Sequence, residues 1–280
     1  MPDVAVHIRP LGEGDLGFAN AVRGIAGWNQ TLADWRRFIA LEPEGCFLAE
    51  CDGAPAGTAT TTCYGADLAW IGMVLVHPDF RRRGIGTALL RHGIRHLRET
   101  RGIRCVKLDA TPEGQPLYEK LGFVAEWGLR RWLRKEIILP DAGPPPFRGA
   151  TPGDFAADAA NFGADRARLL DSLAAGSFAA VFDDDGGFGL MREGSRANYL
   201  GPVSAANPET GLKLCRDLIA AAPGDRWVFW DIPDDNRVAT KLAADSGFEP
   251  VRVLTRMWLG ENAAPGDPAR LFALAEPGLG

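Results

Sequence analysis

Along the chain, the spacing of apolar residues switches between a period near 3.6 and a period near two. In residues 14–24 and 31–41 hydrophobic side chains recur three and four apart, with Trp35, Phe38, Ile39 and Leu41 in the second segment, so both predict helices. Thr31 stands where an N-cap belongs, and Gly27-Trp28-Asn29-Gln30 reads as the loop between them. Shorter runs predict strands: Cys46–Cys51 before an Asp52-Gly53 turn, the Thr-rich Gly57–Tyr64 and the strongly apolar Trp70–Val76. Helical spacing returns over Gly86–Arg98, with Leu90, Ile94 and Leu97 on one face. Val106–Ala110 predicts a strand, Gln115–Leu121 a short helix stopped by Gly122, and Phe123–Trp132 a closing strand.

The second half restates this order. Ile71–Leu75 resembles Leu200–Ser204, Val106–Pro112 resembles Val228–Pro233, Leu117–Phe123 resembles Leu242–Phe248, and Arg130-Arg131-Trp132 resembles Thr255–Trp258. Gly72 and Gly122 are 50 residues apart, and Gly201 and Gly247 are 46 apart. Ordered matches at similar gaps point to an internal duplication. Between the copies lies Pro140-Asp-Ala-Gly-Pro-Pro-Pro-Phe147, and three successive prolines predict a semi-rigid linker. The expected units are therefore 1–140 and 147–280, joined by 140–146.

Composition narrows the class. Of 280 residues, 46% are hydrophobic and 24% charged, enough apolar surface to build a core and exclude disorder as the main state. The net charge of −5 has the wrong sign for a general nucleic-acid binder. It is unevenly shared: residues 1–140 carry 18 basic and 16 acidic side chains, whereas residues 141–280 carry 13 and 20. The apolar runs fall short of a membrane span, and Met1-Pro2-Asp3-Val4 does not open a signal peptide. Cys46, Cys51, Cys63, Cys105 and Cys215 form no C-x-x-C pair, so reduced thiols and no metal site are expected, in a cytoplasmic protein.

The segment richest in chemistry is Val74-Leu75-Val76-His77-Pro78-Asp79-Phe80-Arg81-Arg82-Arg83-Gly84-Ile85-Gly86-Thr87. A buried strand ends, a basic loop with two glycines follows, and a helix begins. Such a loop can turn backbone N–H groups onto an anion, aided by the helix N-terminus and the arginines. No Gly-Lys-Ser/Thr makes it a P-loop, no G-x-G-x-x-G makes it a dinucleotide site, and no aromatic-rich basic surface makes it a nucleic-acid patch.

Arg81, Gly84 and Gly86 fill the Arg/Gln-x-x-Gly-x-Gly/Ala pattern of the GNAT N-acetyltransferase superfamily, which this segment resembles. Leu117-Tyr118-Glu119-Lys120-Leu121-Gly122-Phe123 is similar to that superfamily's L-Y-x-x-x-G-F element. The resemblance implies two α/β (α+β) units, each a mixed, mostly antiparallel central sheet flanked by helices. It also implies acetyl-CoA as co-substrate, bound through Arg81, Arg82, Arg83, Gly84, Ile85, Gly86 and Thr87 and through backbone groups of Val74 and Val76. Tyr118 is the implied acid for the departing thiolate, a role that suits a phenol of pKa about 10. Thr111 stands where many relatives carry Asn. Asp109 and His77 are the candidates for a base, each equally readable as a structural residue, and Trp28 and Asn29 lie where relatives contact the acceptor.

In the second half the loop becomes Ser204-Ala205-Ala206-Asn207-Pro208-Glu209-Thr210-Gly211, with no arginine cluster and with an acid where Gly84 stood; Ala243 replaces Tyr118. That half resembles the degenerate second domain of tandem GNAT proteins of the YitH-like bacterial branch, and it is not expected to bind CoA. Asp231, Asp234 and Asp235 read either as a solvated, capping loop or as a means of steering a cationic amine. The implied activity is direct transfer of an acetyl group to a primary amine in a ternary complex, the second unit walling the acceptor site. Alternatives are a non-catalytic acyl-CoA sensor or a transferase for a longer acyl group. The expected partner is a small-molecule amine, with no nucleic acid or membrane, in a monomer or homodimer.

Overall fold

The computed structural model describes residues 6–135, 155 and 158–280; the expected linker at 140–146 and the unit boundaries beside it lie outside the described residues. In the first half the strands are β1 (Val6–Pro10), β2 (Cys46–Cys51), β3 (Ala54–Tyr64), β4 (Leu68–Val76), β5 (Cys105–Ala110) and β6 (Val124–Arg134). The second half supplies β7 (Ser177–Phe182), β8 (Phe188–Arg192), β9 (Asn198–Ser204), β10 (Val228–Pro233), β11 (Glu249–Gly260) and β12 (Leu271–Ala273). All belong to one sheet in the order β1-β2-β3-β4-β5-β11-β6-β10-β9-β8-β7, with β12 on β9. The β4–β5 and β9–β10 pairs are parallel and the others antiparallel, so the sheet is mixed and mostly antiparallel.

The order has a consequence no single half predicts. One long strand of each half pairs with the other half: β11 lies on β5, and β6 lies on β10. The exchanged strands also pair with each other along their length, from Leu133 with Glu249 to Val124 with Trp258. The two halves therefore share one sheet, as in a domain swap between covalently joined copies.

Helices cover both faces. On one face, α1 (Leu16–Ile25) and α2 (Leu32–Leu41) bury Val22, Trp35 and Phe38 with Trp70 and Met73. Thr31 caps α2 as expected, in a capping box: its hydroxyl accepts from Asp34 N, and its own N donates to the Asp34 carboxylate. On the opposite face, α3 (Ile85–Arg95) and α4 (Gln115–Lys120) pack Leu90, Leu117 and Tyr118 against Ile71, Leu108 and Phe123. In the second half, α5 (Asp158–Phe162) and α6 (Ala167–Ala175) join the first of these cores, and α7 (Pro208–Ala221) and α8 (Arg237–Asp245) pack against β10. Among the described residues no helix is long and apolar enough to cross a membrane.

The local feature that makes a site is a splay. β4 and β5 pair only from Leu68–Trp70 to Cys105–Lys107 and then part. Beyond Trp70 the β3–β4 register slips between Thr58 and Thr60, and Met73 takes φ 50°, a conformation costly for a side chain with a Cβ. The Thr58 hydroxyl donates to Met73 O at 2.9 Å and holds that bulge. The bulge turns Val74–Val76 away from β5 and leaves backbone groups facing a gap.

Candidate active site

The gap opens into a cleft of about 740 Å³. Its wall runs along Ile71–Val76 of β4, takes Arg81 and Gly86 from the basic loop, and takes Leu108, Asp109 and Thr111–Gly114 from the end of β5. Leu117 and Tyr118 come from α4, and Ala26, Trp28 and Gln30 from the α1–α2 connection. The second half adds Arg252, Val253 and Leu254 of β11, with Pro277 and Gly278 beyond β12. Because β11 runs past the end of β5, where Thr255 faces Ala110, its residues 252–254 line space that β5 no longer fills.

The basic loop is shaped as an anion cradle. Arg82 at φ 61° and Gly84 at φ 78° turn the chain, and Gly84 is the N-cap of α3. Among the described residues, no hydrogen bond ties down the amides of Arg82–Thr87 before Ala88 N bonds Gly84 O. Arg81 Nε donates to Val76 O at 3.2 Å, and Arg83 donates to Asp79 O at 3.1 Å, so both side chains brace the loop while keeping their charge. Arg82 makes no such contact among the described residues. Ile85 buries its side chain with Leu89, so any part it plays toward an anion is through its N–H, as for Gly86 at the first turn. Free amides, a helix N-terminus and three cations fit a pyrophosphate, and the splayed edge beside Val74 and Val76 fits an extended amide-bearing arm.

Tyr118 lines the cleft half-buried, its ring against Phe123 at 6.0 Å and so close to Gly114 that a Cβ there would approach its ring to 3.0 Å. Burial pushes its hydroxyl up to about 12, so it stays a proton donor across neutral pH.

The other expected residues divide. Trp28 lines the cleft. Asn29 serves elsewhere than the expected acceptor contact: its Nδ2 donates to Ala197 O at 3.0 Å and its Oδ1 accepts from the backbone of Arg196 and Ala197, riveting the α1–α2 loop to the second half. Asp109 lies on the wall, but its carboxylate is gripped by Arg256 at 2.9 and 3.0 Å. Burial raises its pKa and Arg256 opposes the rise. Arg256 in turn is sandwiched between Trp70 and Trp127 at 4.4 and 4.1 Å. A carboxylate so paired is a brace for the strands rather than a free base. His77 lies outside the cleft wall, its Nδ1 accepting from Asp79 N at 3.4 Å and its ring against Phe18 and Phe80. Asp231 is likewise spent, held by Arg131 at 2.8 and 2.7 Å and by the Tyr199 hydroxyl at 2.5 Å, and Asp234 pairs with Arg130 at 3.1 Å. Asp231 and Asp234 thus tie β10 and the turn after it to β6, while Asp235, exposed on that turn, has no ion pair among the described residues.

Two wall residues escape a sequence reading. Gln30 is buried and its Nε2 donates to Glu276 Oε1 at 3.2 Å. Glu276 also pairs with Arg192 at 3.1 Å. Burial pushes the Glu276 carboxyl up to about 7 from an ordinary 4.5. A carboxyl whose folded pKa is raised binds its proton more tightly in the folded chain, so its contribution to stability is complete below about pH 4.5 and is lost as pH rises to about 7. Glu276→Gln is expected to flatten that slope in urea melts taken on either side of the window. Arg252 is the other wall residue, and nothing in its sequence context marks it.

The second half repeats the splay and fills it. β9 and β10 pair only from Asn198–Leu200 to Val228–Trp230. Into the gap comes β12, on Val203 and Ser204, with Trp230 Nε1 donating to Phe272 O at 2.8 Å and Leu274 N to Asp231 O at 2.9 Å. The Phe272 ring lies on Gly211, where a Cβ would come within 2.2 Å of it. The chain's own segment thus occupies the groove that corresponds to the cleft of the first half, and Gly211 is small for Phe272.

A splayed parallel strand pair, leading to an anion cradle in the first half and filled by the chain itself in the second, is the build of a tandem acyltransferase fold. The acetyltransferase (GNAT) family model matches residues 21–123 and an acetyltransferase (GNAT) domain model matches residues 155–273; the chain belongs to the GNAT family, in both halves. It is 26% identical to the holothin acyltransferase of a Pseudoalteromonas species, over 90% of this chain and 87% of that one. It is 29% identical to the uncharacterized N-acetyltransferase YitH of Bacillus subtilis, over 76% and 77%. In fold it is similar to a Pyrococcus horikoshii protein described as an acetyltransferase, with a TM-score of 0.82 at 24% identity over 98% and 96% of the chains. It is also similar to a tandem GNAT protein of the clavulanic acid biosynthesis pathway, with a TM-score of 0.61 at 18% identity over 91% and 98%. Acetyl-CoA is the family's acyl donor.

Proposed function

We propose that the first half binds acetyl-CoA and that the protein transfers the acetyl group directly to a primary amine admitted on the side walled by the second half. The observation that carries this reading is the cradle: unbonded amides at a helix N-terminus, beside three arginines, at the mouth of a splayed strand pair. Bound acetyl-CoA would supply an activated thioester. Arg81 and the amides of Gly84–Gly86 would hold the diphosphate, and backbone groups of Val74 and Val76 the pantetheine arm. Tyr118 would hold a proton for the departing sulfur. Of the two carboxylates on the cleft wall, Asp109 is locked to Arg256; Glu113, exposed and without a cation partner among the described residues, is the available acceptor of the amine's proton. The exchanged strand β11 and residues 277–278 would then face the acceptor.

The test is calorimetric titration of CoA. Arg81→Glu and Gly84→Glu are each expected to weaken binding about 100-fold or more, from a lost charge-assisted contact of about 1.5–3 kcal/mol and a repulsive charge set against the phosphates. Gly84→Glu also strains the fold itself by about 1–2 kcal/mol, for a side chain in the left-handed region. Arg81 is exposed, so the melting temperature of Arg81→Glu should barely move, whereas that of Gly84→Glu should fall by a few degrees. Wild-type affinity in both variants overturns the cofactor assignment.

A further inference from the structure

Buried charges on the α1–α2 face of the sheet come in pairs. Arg256 holds Asp109, Arg131 holds Asp231, and Arg192 holds Glu276. Arg252, which is half-buried, breaks the pattern. It faces Arg131 across the β6–β11 pair, and residues directly opposed in such a pair project to the same side. It lines the cleft, and among the described residues it has no hydrogen bond and no ion pair. Burial depresses its pKa and neighbouring Arg131 depresses it further, as does Arg196. The acids within electrostatic reach are Asp231, already bound by Arg131, and Glu113, exposed on the loop before α4.

Position matters as much as charge. Arg252 lies three residues past Thr255, the partner of Ala110, hence about 10 Å beyond the end of β5 at roughly 3.3 Å per residue. The phosphate cradle leads into α3, which packs on the opposite face, so Arg252 is not an extension of it. A half-buried cation on the cleft wall, with no protein anion bound to it among the described residues, describes the complement of a ligand that brings an anionic group.

We propose that the acceptor is an amine that also carries an anionic oxygen group, a carboxylate or a phosphate, received by the Arg252 guanidinium. The planar guanidinium fork matches either anion in a two-point contact. This rests on the acyltransferase reading above and adds the acceptor's chemical class to it.

The experiment is a thiol-release screen with matched amines: amino acids against their C-terminal amides, aminoalkyl phosphates against aminoalcohols. Anionic members should be preferred at least tenfold in kcat/KM, and the stronger of the two anion series identifies the group. For the best acceptor, Arg252→Ala should raise KM about tenfold or more with kcat little changed, Arg252→Lys should restore part of it, and CoA affinity should stay at the wild-type value. Uncharged amines that match their anionic partners, or an unchanged KM in Arg252→Ala, overturn the proposal. Should no amine release thiol, the transfer reading fails; the anion site is then read by saturation-transfer NMR of the same compounds on CoA-loaded protein. Anion-dependent binding that disappears in Arg252→Ala supports the site, and its absence in the wild type overturns it.

Discussion

Replacing Tyr118 with Phe is expected to lower turnover about 100-fold or more while leaving the affinity for CoA within about twofold, because a positioned proton donor contributes roughly 10²–10⁴ to such a step. The substitution removes one oxygen and keeps the ring. The ring is what packs on Phe123 and abuts Gly114, so folding should be unaffected. With the hydroxyl pushed up to about 12, the wild-type phenol is fully protonated through neutral and mildly alkaline pH. Any alkaline decline in wild-type rate below about pH 10 must then arise from another group and should persist in the variant. Single-turnover thiol release with a competent amine is the measurement. Equal rates in the two proteins would remove Tyr118 from the chemistry and leave it as a packing residue.

Asp231→Asn is expected to destabilise the fold by about 3–5 kcal/mol, the usual cost of stripping one partner from a buried ion pair. Asp231 is fully buried, accepts two bonds from Arg131 and one from Tyr199, and joins the second half's β10 to the first half's β6. The Arg131 guanidinium would remain between the rings of Tyr199 and Phe229 with its charge uncompensated. Because both exchanged strands pass this point, the loss should appear as a lower urea midpoint for the whole chain. Pairing the change with Arg131→Met should recover much of the stability, since the double variant leaves no uncompensated buried charge. A variant as stable as wild type, by urea melts, would show that the pair is solvated and contributes little.

Much of the first half was legible. The helices α1, α2, α3 and α4 and the strands β2–β6 lie where periodicity placed them, because each has one face that must be buried and a period that says which. β1 escaped: five residues at the sheet edge, with no fully buried side chain, leave too short an alternation to detect. The cradle was readable because its chemistry is local. Gly84 must occupy positive φ, α3 must begin after it, and the arginines are its immediate neighbours in sequence. Asn29 and Asp109 were legible as polar residues near a site, and not as what they became. Their partners, Ala197 and Arg256, lie 168 and 147 residues away.

By itself, then, the sequence determined the element order, the duplication, the phosphate cradle and the loss of that cradle in the second copy. Each element, the cradle and its loss are set by spacing and backbone preference within some ten or twenty consecutive residues, and the duplication by the recurrence of that order along the chain. Only the tertiary structure decided that the copies exchange β6 and β11, that β12 and Phe272 fill the second groove, and that Arg252 stands on the cleft wall with no ion pair among the described residues. The reason is physical. Strand pairing uses backbone hydrogen bonds that nearly every residue offers, so β11 could have closed on β10 or on β5 with the same local pattern, and long-range packing made the choice. Whether a buried charge is paired is likewise a property of who arrives beside it, and the residues around Arg252 come from both halves of the chain.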